Sequence, residues 1–235
     1  MKKIIHYFLV GSLCTLAGCG GSDSGNKIAQ WSANTFKQAA KIDAQFAKEM
    51  KPFVRTQKVY QGLQSLVSFS AVLMTDAAQK AYAHYYGITH FSSKDDIDLM
   101  QAKLLNENNY YITLYVIGSQ PAVFFETSQS LFKGQYRQNS QQLIGKKDTT
   151  WQMALKINGQ TYHPDSISST NFPVEMKTAF GPLFNQFKTA YVVKFAIKDQ
   201  AMMQALRSKK ETVELAFTSY QFEVTLVWEN LVYGV

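Results

Sequence analysis

Apolar and polar positions alternate along most of this chain with a period of two, which is the signature of half-buried strands. Tyr110, Ile112, Leu114 and Val116 form one such run, and Trp151, Met153, Leu155 and Ile157 form another. Tyr191, Val193, Phe195 and Ile197 make a third. Val213, Leu215 and Phe217 face Phe222, Val224, Leu226 and Trp228 across a turn near Ser219. Val54 to Met74 also reads as extended, with Gly62 marking a bulge or bend. Asn158-Gly159, directly after the second run, is a strong hairpin signal, because both residues tolerate positive φ. Gln129 to Thr150 is rich in Gln, Ser and Lys and reads as an exposed loop. Phe172 to Phe187, with Pro173, Gly181 and Pro182, reads as an irregular crossover packed on the core.

The period changes to that of a helix in three places. From Ile28 to Met50, at about 100° per residue, Lys37, Lys41, Lys48 and Lys51 fall within a narrow arc. Ile28, Trp31, Ala39, Ile42, Phe46 and Met50 lie opposite, and Pro52 ends the pattern. Thr75-Asp76 caps a second helix, Ala77 to Tyr86, with Gly87 as its stop. Ser92 or Ser93 caps a third, with Asp95 and Asp96 in the dipole-favoured first turn and Ile97, Met100, Leu104 and Leu105 as its apolar stripe. The expected fold is therefore mainly β with helical additions. It is an antiparallel immunoglobulin-like β-sandwich over residues 52–235, with an amphipathic helix at 28–51 and a two-helix insertion at about 75–107.

The first residues change where such a domain is expected to reside. Lys2 and Lys3 precede a short apolar run, Ile4 to Leu13, well below the roughly 20 residues a membrane span needs. Leu16-Ala17-Gly18-Cys19 follows, and Gly20-Gly21-Ser22-Asp23-Ser24-Gly25 has the composition of a flexible tether. This order of features resembles the signal and lipobox of bacterial lipoproteins. The resemblance implies a signal peptide at 1–18, cleavage between Gly18 and Cys19, lipid on Cys19 and a tether at 19–27. Gly20, not aspartate, after the cysteine resembles cargo of the outer membrane facing the periplasm. The lipid itself is the expected membrane partner, since several acyl chains on one residue hold a protein essentially permanently.

Composition agrees. Cys14 leaves with the signal and Cys19 carries lipid, so the expected mature domain has no thiol for a disulfide, a zinc site or a nucleophile. The full chain's hydrophobic content of 46% and aromatic content of 14% suit a packed core. Removing Lys2 and Lys3 leaves 22 basic against 17 acidic residues, a balance of +5. That suits anionic lipid or wall polymer better than nucleic acid, for which no dense basic cluster is present.

A second resemblance covers most of residues 53–230. Arg55-Thr56-Gln57-Lys58-Val59-Tyr60-Gln61-Gly62-Leu63, Ala81-Tyr82, Trp151 and Leu226-Val227-Trp228 resemble segments shared by a group of uncharacterised bacterial lipoproteins. Gln61 departs from that pattern, which has aspartate after the tyrosine. The group implies a fold and no activity.

Candidate chemistry is sparse. His163-Pro164-Asp165-Ser166 holds the residue types of a catalytic triad, but groups so close in sequence rarely converge, and a turn accounts for them. His84 and His90 lack the spacing of ligands on one helical face, and Asp95, Asp96 and Asp98 lack that of a calcium loop, so no metal or other cofactor is expected. Glu175 with Glu223 or Glu229 could supply a carboxylate pair only through the fold. The lysine stripe suits anionic headgroups beside the anchor, or simply the solvated side of a docked helix. Tyr82, Tyr85, Tyr86, Tyr110 and Tyr111 are the candidate partner-binding aromatics, or equally the rings that fix the insertion to the strands. The expectation is a non-catalytic module that binds an envelope protein or wall polymer or organises the envelope, with an envelope hydrolase acting on glycan or peptide as the alternative.

Overall fold

The structure is a computed structural model that describes residues 22–61, 64–119, 144, 151–170, 172–185, 188–220 and 222–234, without the side chains of 22–34, 61 and 64–66. The lipobox with Cys19, Gly62 and nearly all of the expected loop at 129–150 lie outside the described residues. Within that loop Ile144 is described; it is fully buried and bridges Trp151, so at this position the chain returns to the core instead of staying in solvent.

The chain divides into two compact units, residues 1–44 and 45–235. In the first, helix α1 (Ser22–Met50) begins earlier than Ile28 and takes in Ser22–Lys27, expected as tether. Once a helix is nucleated, each added residue gains a hydrogen bond, so a few Ser and Gly residues extend it at small cost. Thr35 to Lys41 are exposed. The last turns of α1 belong to the second unit, where Phe46 and Met50 are buried. A 3₁₀ turn, Lys51–Phe53, with Pro52 in its first positions, leads to the first strand.

The second unit is mainly antiparallel β, in two sheets with several helices. The first sheet has the order β1-β2-β3-β7-β6, from strands Val54–Gln61, Gln64–Leu73, Tyr111–Ser119, Thr189–Ala196 and Ser166–Ser168. The second has the order β5-β4-β8-β9, from Gln160–Tyr162, Gln152–Ile157, Glu211–Thr218 and Glu223–Leu231. The expected alternations are the inner rows, except that Tyr110 and Phe222 fall just before their strands and are exposed. Met153, Phe217 and Val224 align across three strands, as do Leu155, Leu215 and Leu226, then Ile157, Val213 and Trp228. On the other sheet Ile112 pairs Phe195, Leu114 pairs Val193, and Val116 pairs Tyr191. All belong to one buried cluster with Phe69, which stacks on Phe217 at 4.1 Å and meets Trp151 edge-on. The edges β1 and β9 are tied by Arg55 Nε donating to the Val227 carbonyl and Trp228 Nε1 donating to the Phe53 carbonyl. Asn158 and Gly159 take φ of 48° and 78° in the β4–β5 hairpin, as their types require.

The outward face of β2 and β3 is buried too. Ser70, Val72, Met74, Thr113 and Ile117 are all buried there. The helical insertion supplies part of their cover: α2 (Asp76–Thr89) and α3 (Lys94–Glu107), with the short α4 (Glu175–Phe180) in the Phe172–Phe187 crossover. Ser93 caps α3 in a capping box with Asp96, as its sequence predicts. One further helix, α5 (Gln200–Ser208), and the short β6 are not expected from the strand pattern.

Gly87 does not stop α2. The helix continues to Thr89 and ends with Phe91 at φ 53°, Ser92 N–H reaching the Gly87 carbonyl and Phe91 N–H the Ile88 carbonyl. That is the glycine-type cap with a phenylalanine in glycine's place. Gly87 serves packing instead: a Cβ there would lie 2.3 Å from Cγ1 and Cδ1 of Ile97 on α3. Gly87→Ala is expected to lower stability by about 1 kcal/mol, the clash outweighing the gain in helix propensity. Urea unfolding checks this, and combination with Ile97→Ala should remove the clash contribution.

Candidate binding site

Two of the five candidate tyrosines are structural. Tyr82 and Tyr85 are buried, and Tyr85 stacks on Phe46 at 4.0 Å, joining the end of α1 to α2. Tyr86 stacks on His90 at 3.9 Å, and Tyr111 opens β3 half-buried. Burial pushes the phenols of Tyr82 and of Tyr115, another ring on the outward sheet face, above their ordinary value. Tyr115 rises to about 12, with Glu107 and Glu175 adding to the effect of burial. These rings stay protonated at neutral pH and act as cement beneath the helices. Tyr110 differs, being 56% exposed.

The structure does not bring the candidate catalytic groups together. His163 is exposed, and the Asp165 amide donates to the Lys194 carbonyl, so the His-Pro-Asp-Ser stretch leads from β5 into β6 as a turn. Glu175 lies 3.5 Å from His90 on the helical side of the first sheet, whereas Glu223 pairs with Lys156 on the second. The carboxylate pairs therefore fall on different layers. His84 is exposed, and no cluster of three or more potential metal ligands occurs among the described residues. Lys37, Lys41, Lys48 and Lys51 are all exposed, the first two in the first unit and the others in the second. No helix among the described residues is long and apolar enough to cross a membrane.

What the fold does assemble is a polar network around the start of α2. Asp76 is buried, and a buried carboxylate needs partners because desolvation costs several kcal/mol. Arg207 of α5 forms an ion pair with it, and Asn108, fully buried after α3, donates to its Oδ1 at 3.0 Å. Asn108 also donates to the Met74 carbonyl and accepts from Gln79 Nε2 and from the Tyr233 hydroxyl. The Asp76 amide donates to the Tyr233 carbonyl, and the Tyr233 amide to the Leu206 carbonyl. Burial raises the Tyr233 phenol far above its ordinary value, so it remains a donor. Arg207 further donates to Asn109.

Beside this network a cleft of about 380 Å³ opens between α5 and the α3–β3 turn. One wall is a single face of α5, with Gln200, Met203, Gln204 and Arg207 at positions i, i+3, i+4 and i+7. The other is Asn109 with the exposed ring of Tyr110. The wall positions are held firmly. Ile197 N–H donates to the Tyr110 carbonyl, Tyr110 N–H donates to the Glu107 carbonyl, and Asp199 caps α5 through Ala201 and Met202. Gln200 and Gln204 are exposed, and their side-chain amides have no hydrogen-bond partner among the described residues. Of the six lining residues sequence reading singled out Tyr110 alone. Asp199 followed by Met202, Met203 and Leu206 was the available helix signal for the opposite wall.

Comparison with known proteins adds little. No family model matches the chain, and no curated protein is similar to it in sequence. A solved structure of a protein of unknown function from Burkholderia pseudomallei is 10% identical, over 83% of this chain and 86% of that one. Its TM-score is 0.38, a likeness too weak to inform fold or function.

Removing Arg207 should expose how much depends on it. Arg207→Met keeps most of the aliphatic stem but leaves Asp76 buried without its cation, and is expected to cost about 3 kcal/mol in urea unfolding. The double variant with Asp76→Asn should lose clearly less than the sum of the two single changes.

Proposed function

We propose that this chain is a lipid-anchored lipoprotein of the bacterial cell envelope whose folded part binds a partner without catalysis. The anchor rests on Lys2-Lys3, the apolar run and Leu16-Ala17-Gly18-Cys19 in that order, with lipid on Cys19 and residence at the outer membrane facing the periplasm. The exposed lysines 37, 41, 48 and 51 suit anionic headgroups near that anchor.

The architecture is read as an immunoglobulin-like sandwich. In support, the order β2-β3-β7-β6 corresponds to strands A-B-E-D of that fold, and β5-β4-β8-β9 to C′-C-F-G, with β1 added beside the first strand. The observation that carries the binding role is the cleft beside Tyr110, where an exposed aromatic ring and side-chain amides converge on a rigid frame.

Two experiments test this reading. Cys19→Ala should release the protein from isolated membranes into the soluble fraction, read by immunoblot; unchanged membrane retention overturns the anchor. A photo-crosslinking residue placed at Gln204 in intact cells should give a reproducible adduct, while the same residue at Gln160, on the edge of the second sheet, should give none. Equal labelling at both positions, or none at either, removes the cleft as the binding site.

A further inference from the structure

Resting on that binding role, we infer that the Tyr110 cleft takes a neutral glycan, a short run of hydroxyl-rich or N-acetylated sugar rings. Three features of the cleft select this class.

The first is the ring. Tyr110 is 56% exposed as a residue although its backbone is held on both sides, by Ile197 and Glu107, so its ring is open to a ligand. The negative face of an aromatic ring attracts the polarised C–H groups on one side of a pyranose, and a flat sugar covers it without needing a deep apolar pocket. A protein partner would instead call for a broad surface of roughly 800 Å² per side, with apolar anchors near its centre. At about 380 Å³ the cleft has the size of a small-ligand site. Its most apolar lining residue, Met203, is itself only 2% exposed and offers little to anchor on.

The second is the polar lining. Gln200 and Gln204 stand one turn apart on the exposed face of α5. Each amide offers two donors and an acceptor, so it can both give to and take from neighbouring hydroxyls or an acetamido group. With no intramolecular partner among the described residues, these amides give up only water when a ligand arrives.

The third is charge. Among the described residues Arg207 is the one cation lining the cleft, and its guanidinium is already matched by Asp76 and bound to Asn109. The cleft therefore has little net charge to offer a uronate, a phosphate or a lipid headgroup. Arg207 still has N–H groups beyond those two contacts, which suit a sugar oxygen. A neutral glycan uses everything the cleft presents, whereas an anionic one leaves its own charge unmatched.

The test uses the full chain in detergent micelles and two probes, an N-acetylglucosamine trisaccharide and a galacturonate trisaccharide, by ligand-observed NMR and calorimetric titration. The neutral probe should bind and the anionic one should not. Tyr110→Ala should weaken binding about tenfold, Tyr110→Phe should leave it nearly unchanged, and Gln204→Ala should weaken it severalfold. Both positions of change are at the surface, and an unchanged urea midpoint confirms that each variant is folded. Preference for the anionic probe, no binding of the neutral one, or binding indifferent to Tyr110→Ala overturns the glycan assignment. If glycan binding fails while crosslinking at Gln204 in cells still captures a protein and needs Tyr110, the cleft binds protein and the broader binding role survives. If both fail, both fall together.

Discussion

Asp76 is a carboxylate that the fold has taken out of water, and much of the second unit's arrangement can be traced to the groups that satisfy it. Desolvating such a group costs several kcal/mol unless charge and hydrogen bonds are supplied in the right geometry. Here the charge comes from Arg207 on α5, one hydrogen bond comes from Asn108 at the end of α3, and the Asp76 backbone amide is taken by the carbonyl of Tyr233 near the end of the chain. Four distant stretches are thereby brought to one point. The same contacts position Arg207 and Asn109, so the walls of the cleft beside Tyr110 are by-products of meeting one buried charge.

Burial of β2 and β3 on both faces is the second constraint. A strand in a half-solvated sheet can keep polar groups outward, but β2 from Val67 onward and most of β3 are buried. Helices α2 and α4 and the end of α1 contribute rings and methyl groups to that layer, with Phe46 on Tyr85 and Phe172 against Tyr115. The insertion between β2 and β3 is therefore half of a core, not a decoration. This is why Tyr82 and Tyr85 are engaged inside the protein and Tyr110, one residue before β3, is left to face solvent.

The sheets themselves were legible along the chain. Strand identity depends on a period of two and on turn residues, both of which are local, so most of the inner rows and the Asn158-Gly159 hairpin stand as expected, and of the two serines offered as a cap Ser93 is the one used. Gly87 departs from its expected role because a glycine after an apolar helical run has two physical uses. Ending a helix and admitting a neighbouring side chain look alike until Ile97 is seen against it. Helix α5 is masked in the sequence by the two strong strand runs on either side of it, and its local signal is confined to the Asp199 cap and the spacing of Met203 and Leu206.

By itself the sequence determined the β-rich character of the chain, most strand positions and their inward faces, because those follow from near neighbours and hydrophobic period. The lipobox, too, is a property of adjacent residues, and the proposed anchor rests on it alone. Only the tertiary structure decided which tyrosine is free, which acid is buried, and where a cleft opens. Asp76 and Arg207 are 131 positions apart, and no local pattern announces that they meet. Contacts of that range are set by how the sheets and helices pack, since burying a charge and covering a two-faced sheet are demands on the whole fold and not on any segment of it.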